Sequence, residues 1–131
     1  MCIFCEIIKG NIPSKKVYED DDVLAILDIS QATYGHTLVM PKEHYENINE
    51  CPKEVLYKVT SITQDLNKQI MNNLKAKGSN ILTNTNEASG QSVPHLHFHI
   101  IPRYDETDTI KIEVTNNEFN LDEVLNKIQA K

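Results

Sequence analysis

The sequence predicts an α+β domain with a mainly antiparallel sheet, and three observations predict it. Five short apolar runs are separated by turns and one long helical stretch rather than by regularly alternating helices. That single long stretch carries apolar residues at steps of three and four. The 131 residues, 40% apolar and 24% charged, suit one ordinary globular core, so a single domain over 1–131 is expected.

Each element has its own signal. Ile3 to Lys9 forms a short amphipathic stretch that Gly10 closes, and Asn11-Ile12-Pro13 leads away from it. Val17-Tyr18-Glu19 and Val23 to Asp28 are two strands joined by the acidic turn Asp20-Asp21-Asp22. Gly35 precedes a third strand, His36 to Met40, stopped by Pro41. Val55, Leu56, Val59, Ile62, Leu66, Ile70 and Leu74 line one face of a long helix between Lys53 and Lys77, ended by Gly78. Ser79 to Thr83 is a fourth strand and His95 to Ile101 a fifth. Asn120-Leu121-Asp122-Glu123 has the form of a capping box and opens a short last helix through about Ile128.

Charge and cysteine usage exclude several classes. Thirteen Lys+Arg against nineteen Asp+Glu leave a net charge of −6, which repels phosphate backbones, so nucleic acid is not an expected partner. No apolar run approaches the ~20 residues of a membrane span. Glu6 and Lys9 interrupt the start of the chain, unlike a secretory leader, so a cytoplasmic protein is expected. Three cysteines do not make a disulfide framework, and Cys51 reads as a free, partly buried thiol. Cys2-Ile3-Phe4-Cys5 can be a redox pair, half a metal site or chance. Redox pairs of this kind open a helix after a strand, and no strand precedes residue 2; a metal site needs two further ligands.

The chemistry lies in His95-Leu96-His97-Phe98-His99-Ile100-Ile101. On a strand the three histidines share one face, about 6.6 Å apart, and Leu96, Phe98 and Ile100 share the other. Three alternating imidazoles fill a sheet poorly but supply nucleophiles, proton carriers or metal ligands near neutral pH. A metal-dependent hydrolase with His95 and His97 on a catalytic ion is therefore one reading. A nucleotide-binding module without turnover is another. Ahead of the strand, Ser89-Gly90-Gln91-Ser92 brings an amide, a hydroxyl and main-chain N–H groups suited to an oxyanion. No P-loop or dinucleotide-binding glycine motif is present.

Alternating histidines preceded by Gly90-Gln91-Ser92-Val93 resemble the signature of the histidine-triad (HIT) superfamily of nucleotide hydrolases and transferases. Phe4-Cys5-Glu6-Ile7-Ile8, Ile12-Pro13, Tyr18-Glu19-Asp20, Leu27-Asp28-Ile29, Gly35 to Val39, Pro41-Lys42 and Ile101-Pro102-Arg103 follow in the family's order. The likeness spans nearly the whole chain and is closest to Hint-like bacterial members that carry a C-x-x-C. It implies a HIT-like fold, a five-stranded antiparallel sheet with helices, and a symmetric homodimer.

The resemblance also implies roles. His97 is the nucleophile toward the α-phosphate of a purine nucleotide such as an AMP or GMP derivative, and His99 contacts the phosphate. Gln91 and Ser92 hold phosphate oxygens and leaving group, Ser92 nearest the departing atom, with Gly90 in the same loop and Asn84 at a polar phosphate position. Asp28 holds the ribose hydroxyls, and Phe4, Ile7, Ile26 and Ile29 form the base pocket. Related chains with this C-x-x-C place zinc on two cysteines and two histidines, matching Cys2, Cys5, His44 and His95. Such a closed set is structural rather than catalytic; at the phosphate no metal is required, since the loop donors and His99 can stabilise the developing charge. Pro94 departs from the family, which has a residue with an N–H there, and bears on the local loop geometry.

Overall fold

The computed structural model describes residues 1–131. Helix α1 spans Ile3–Ile8, strands β1, β2 and β3 span Lys16–Glu19, Val23–Leu27 and Thr37–Pro41, and helix α2 spans Lys53–Leu74. Strand β4 spans Gly78–Leu82, a 3₁₀ turn Glu87–Ser89, strand β5 Phe98–Arg103, and helix α3 Leu121–Gln129. The five strands form one sheet in the order β1-β2-β3-β5-β4, every neighbouring pair antiparallel. The fold is the five-stranded antiparallel α+β arrangement expected.

The alternation of side chains gives this sheet two cores. Val23, Ala25, Val39, Leu96, Phe98 and Ile100 point to one face, where Val59, Leu66 and Ile70 of α2 cover them. Leu24, Ile26, Leu38 and Met40 point to the other, where Phe4 and Ile7 of α1 pack on them. Removing one such large apolar side chain costs about 3 kcal/mol. Cys51 is a buried free thiol in the α2-side core.

The turn between β1 and β2 is held by Asp20. Its Oδ1 accepts from the Asp22 and Val23 N–H groups at 2.7 and 2.8 Å, and Tyr18 donates to its Oδ2 at 2.7 Å. Burial acts to raise the Asp20 pKa, but these bonds and the nearby Lys58 ammonium prevail and hold it at about 2.

Several boundaries differ from expectation, and three bear on the local structure. Helix α2 stops at Leu74, not at Gly78. Lys75 takes the left-handed conformation (φ 58°) that ends it, and Gly78 already begins β4. Strand β3 includes Pro41. The ladder of β5 begins at Phe98, so His95 and His97 precede it in irregular backbone. Pro94 explains the last: the Val93 carbonyl accepts from the His95 N–H at 2.8 Å across it, a tight bend that suits a fixed φ. The alternation survives, since Leu96 shares the core with Phe98 and Ile100. Helix α3 forms on its Asn120 cap, whose side chain accepts from the Glu123 N–H, yet buries no residue within the chain.

Candidate active site and metal cluster

The segment 95–97 is irregular but braced. Leu96 N–H donates to the Tyr45 carbonyl at 2.6 Å, and the Thr83 hydroxyl donates to the His97 carbonyl at 2.7 Å. Those bonds fix where the three imidazoles stand. A cavity of about 280 Å³ opens beside them, lined by Phe4, Ile7, Ile26, Ile29, Asp28, Ser92, His97 and His99 with Ile3, Ile12, Pro13, Ser14, Leu27, Leu38 and Val93. An apolar end and a polar end thus share one opening.

Hydrogen-bond partners assign each ring's tautomer. His97 Nδ1–H donates to the His95 carbonyl at 2.7 Å, which leaves the lone pair on Nε2. His36 Nδ1 accepts from the Ala32 N–H at 3.2 Å, so its proton is on Nε2 and goes to His99 Nδ1 at 2.9 Å. His99 therefore keeps its proton on Nε2. One ring of the cavity offers a lone pair and the other an N–H.

Burial keeps these rings neutral. It pushes His36, His95 and His97 below the ordinary imidazole value. Burial, then the neighbouring His97 and His36 rings, push His99 to about 4. The Asp28 carboxylate opposes the shift at His36, His97 and His99, its Oδ2 lying 3.7 Å from His36 Nε2.

His36 is the member that sequence reasoning missed. Read alone it is a strand-leading histidine, but Leu38 pairs with His99 across β3 and β5 and brings the two rings together. Gly35 turns the chain into that strand with φ +97°, close to Leu74 and Pro102, where a side chain is strained.

Not every expected residue reaches the cavity. Ser92 does, and it also borders a groove with Glu46, Asn86, Glu87 and Gln91. Gln91 is spent on main chain: its Oε1 accepts from Asn86 N–H at 2.7 Å, and its Nε2 donates to the Glu46 and Val93 carbonyls at 2.6 and 3.1 Å. It shapes the loop and does not line the cavity. Gly90 (φ +103°) lies near the Asn84 amide, and both are outside the lining. Ile29 lines the rim almost fully exposed, whereas Phe4, Ile7 and Ile26 are core residues as well as walls. Asp28 lines the cavity while its Oδ1 accepts from Ser30 N–H at 2.8 Å.

His95 turns away from His97. Its Nε2–H donates to the Pro41 carbonyl at 2.8 Å, leaving Nδ1 free toward Cys2. Cys2, Cys5, His44 and His95 bring their ligand atoms within 4.8 Å of one another. The closer separations from His95 Nδ1 are 3.4 Å to Cys2 Sγ, 3.6 Å to Cys5 Sγ and 3.2 Å to His44 Nδ1. Cys5 Sγ to His44 Nδ1 is 3.3 Å. Four nitrogen and sulfur ligands on a tetrahedral ion stand roughly 3.3–3.8 Å apart, so the set fits such an ion. His95 and His97 do not converge on a shared one.

The HIT domain family model matches residues 9–106, and the chain belongs to the HIT family. It is 45% identical over 132 residues to a HIT-like protein of Methanocaldococcus jannaschii, covering 99% of this chain and all of that one. It is 40% identical over 102 residues to an adenylylsulfatase of Arabidopsis thaliana, covering 78% of this chain and 52% of that protein. A HIT family structure from Bacillus subtilis superposes with a TM-score of 0.91 at 43% identity, covering 97% of this chain and 94% of that one. A zinc-bound histidine triad family structure from Mycobacterium smegmatis gives 0.78 at 35%, covering 88% and 84%. No helix is long and apolar enough to cross a membrane.

Proposed function

We propose that this chain hydrolyses purine nucleoside monophosphate derivatives at the α-phosphate through a covalent nucleotidyl intermediate on His97. The observation that carries this is the tautomer of His97: its Nδ1–H is held by the His95 carbonyl, so the lone pair is on Nε2 of a ring that lines the cavity. The base fits the apolar end among Phe4, Ile7, Ile26 and Ile29, and Asp28 meets the ribose hydroxyls. His97 Nε2 forms a bond to phosphorus as the bond to the leaving group breaks. His99 Nε2–H steadies the charge on the phosphate oxygens, and Ser92 donates toward the departing atom. Water then displaces His97, and the nucleoside monophosphate leaves. Gln91, Asn84 and Gly90 support this as scaffolding of the loop. A similar plant protein is an adenylylsulfatase, which makes an acidic leaving group one member of the substrate class beside amines, aminoacyl groups and phosphates.

Cys2, Cys5, His44 and His95 are the residues that would hold zinc, as a structural ion tying the chain's start to the segment before β5. A zinc-bound relative supports this reading. The resemblance adds a homodimer, which sedimentation tests.

The experiment is a rapid acid quench during turnover of an adenosine phosphoramidate, an adenylyl sulfate and a diadenosine polyphosphate. It should trap protein one adenylyl group heavier, and His97→Ala should bind AMP yet neither form the adduct nor turn over. Substantial turnover by a folded His97→Ala protein overturns the covalent mechanism.

A further inference from the structure

We propose that the Cys2–Cys5 pair is a thiol switch on nucleotide binding, because the helix it latches is a wall of the nucleotide cavity. This rests on the nucleotide reading above and adds a regulation of that site.

Helix α1 has only six residues, too few to hold itself in water. Two things secure it: Phe4 and Ile7 buried on the sheet, and Cys2 and Cys5 set against His44 and His95. The same helix gives Ile3, Phe4 and Ile7 to the cavity wall. The two cysteines bracket Phe4, whose ring stands edge-on to His97 with centroids 4.9 Å apart. The other end of the cluster also reaches the site, since His95 is held by its ring in the cluster and by its carbonyl on His97. A change at the two sulfurs therefore moves the base wall and loosens the nucleophile's support.

The sulfurs are placed for that change. Cys5 N–H donates to Cys2 Sγ at 3.3 Å, so both lie on one turn, and both residues are partly exposed beside an exposed His44. With a peroxide as oxidant, one thiolate attacks a peroxide oxygen, the O–O bond breaks and hydroxide leaves, forming a sulfenic acid. The second thiolate attacks that sulfur, the S–O bond breaks and a second hydroxide leaves. Two protons convert the hydroxides to water, and the peroxide is reduced as the two thiolates become a disulfide. The sulfurs must then close to about 2.05 Å, which removes Cys2 as the cap of α1 and leaves only two histidines for a metal.

The test uses the zinc-loaded full-length chain with Cys51→Ala, so that the pair is the sole thiol chemistry. Hydrogen peroxide should remove two mass units per chain, release zinc, speed amide exchange in residues 3–8 and weaken AMP binding about tenfold. Dithiothreitol with zinc should restore all four, and adding Cys2→Ser should abolish the response. Failure to form the disulfide, or a disulfide that leaves exchange in residues 3–8 unchanged, overturns the switch. So does unchanged AMP affinity after the disulfide has formed and zinc has left. If α1 loosens on oxidation but the reduced protein never binds AMP, the nucleotide reading fails and the thiol-controlled latch stands.

Discussion

Single side chains in this site act through the proton each leaves on its neighbour. His36 has no cavity surface, yet it decides that His99 presents N–H rather than a lone pair. Replacing it by asparagine is expected to lower kcat by about 10²-fold while AMP affinity changes only a few-fold, measured by turnover and calorimetry. Loss of binding with unchanged kcat would contradict that role. The same rings set an acid limit. The unfolded imidazole binds a proton below about 6.5, whereas folded His99, facing His36, His97 and Asp28, resists until about 4. Between those values the unfolded state binds more protons, so stability falls as pH falls. Urea midpoints followed across this window should drop, and His99→Asn should flatten the slope. The triad and its neighbours were legible in the sequence because alternation is a local property. His36 was not, because its meaning comes from a pairing register 63 residues away along the chain.

Whole elements repeat the pattern, with local signals clear and their ends decided elsewhere. The long helix is legible from its apolar period, but the nearest glycine does not mark its stop. Lys75 instead carries the left-handed turn, with its N–H on the Met71 carbonyl. A lysine pays steric strain there that glycine does not, so Lys75→Gly is expected to stabilise the fold by about 1 kcal/mol and raise the melting temperature by a few degrees. A lowered melting temperature would mean that Lys75 makes contacts of greater worth than the strain. Gln91 shows the reverse case. Its side-chain amide binds the Glu46 carbonyl because the connection after β3 passes close by, a contact that no local sequence pattern announces.

Across the whole molecule, the Cys2–Cys5–His44–His95 cluster joins two segments that share no ladder, residues 2–5 and 95, with His44 between them in sequence. Cys2 and Cys5 were legible as half a site, while the other half rested on family resemblance. Stripping zinc with a chelator is expected to lower the melting temperature by several degrees, with recovery on zinc addition and His97 still the site of adenylylation. Unchanged melting after verified zinc loss would remove the stabilising role. The strand order has a consequence for how such a chain is born. As a ribosome releases it from the N-terminus, β3 and β4 emerge first, yet they never pair with each other, because β5 fills the slot between them. Until residues 98–103 arrive, the facing edges of both strands lack their partner. The strand that completes the sheet is also the one that follows His95 and His97 and carries His99, so a nascent chain fixes its imidazoles in place only at the stage when the middle of its sheet is filled.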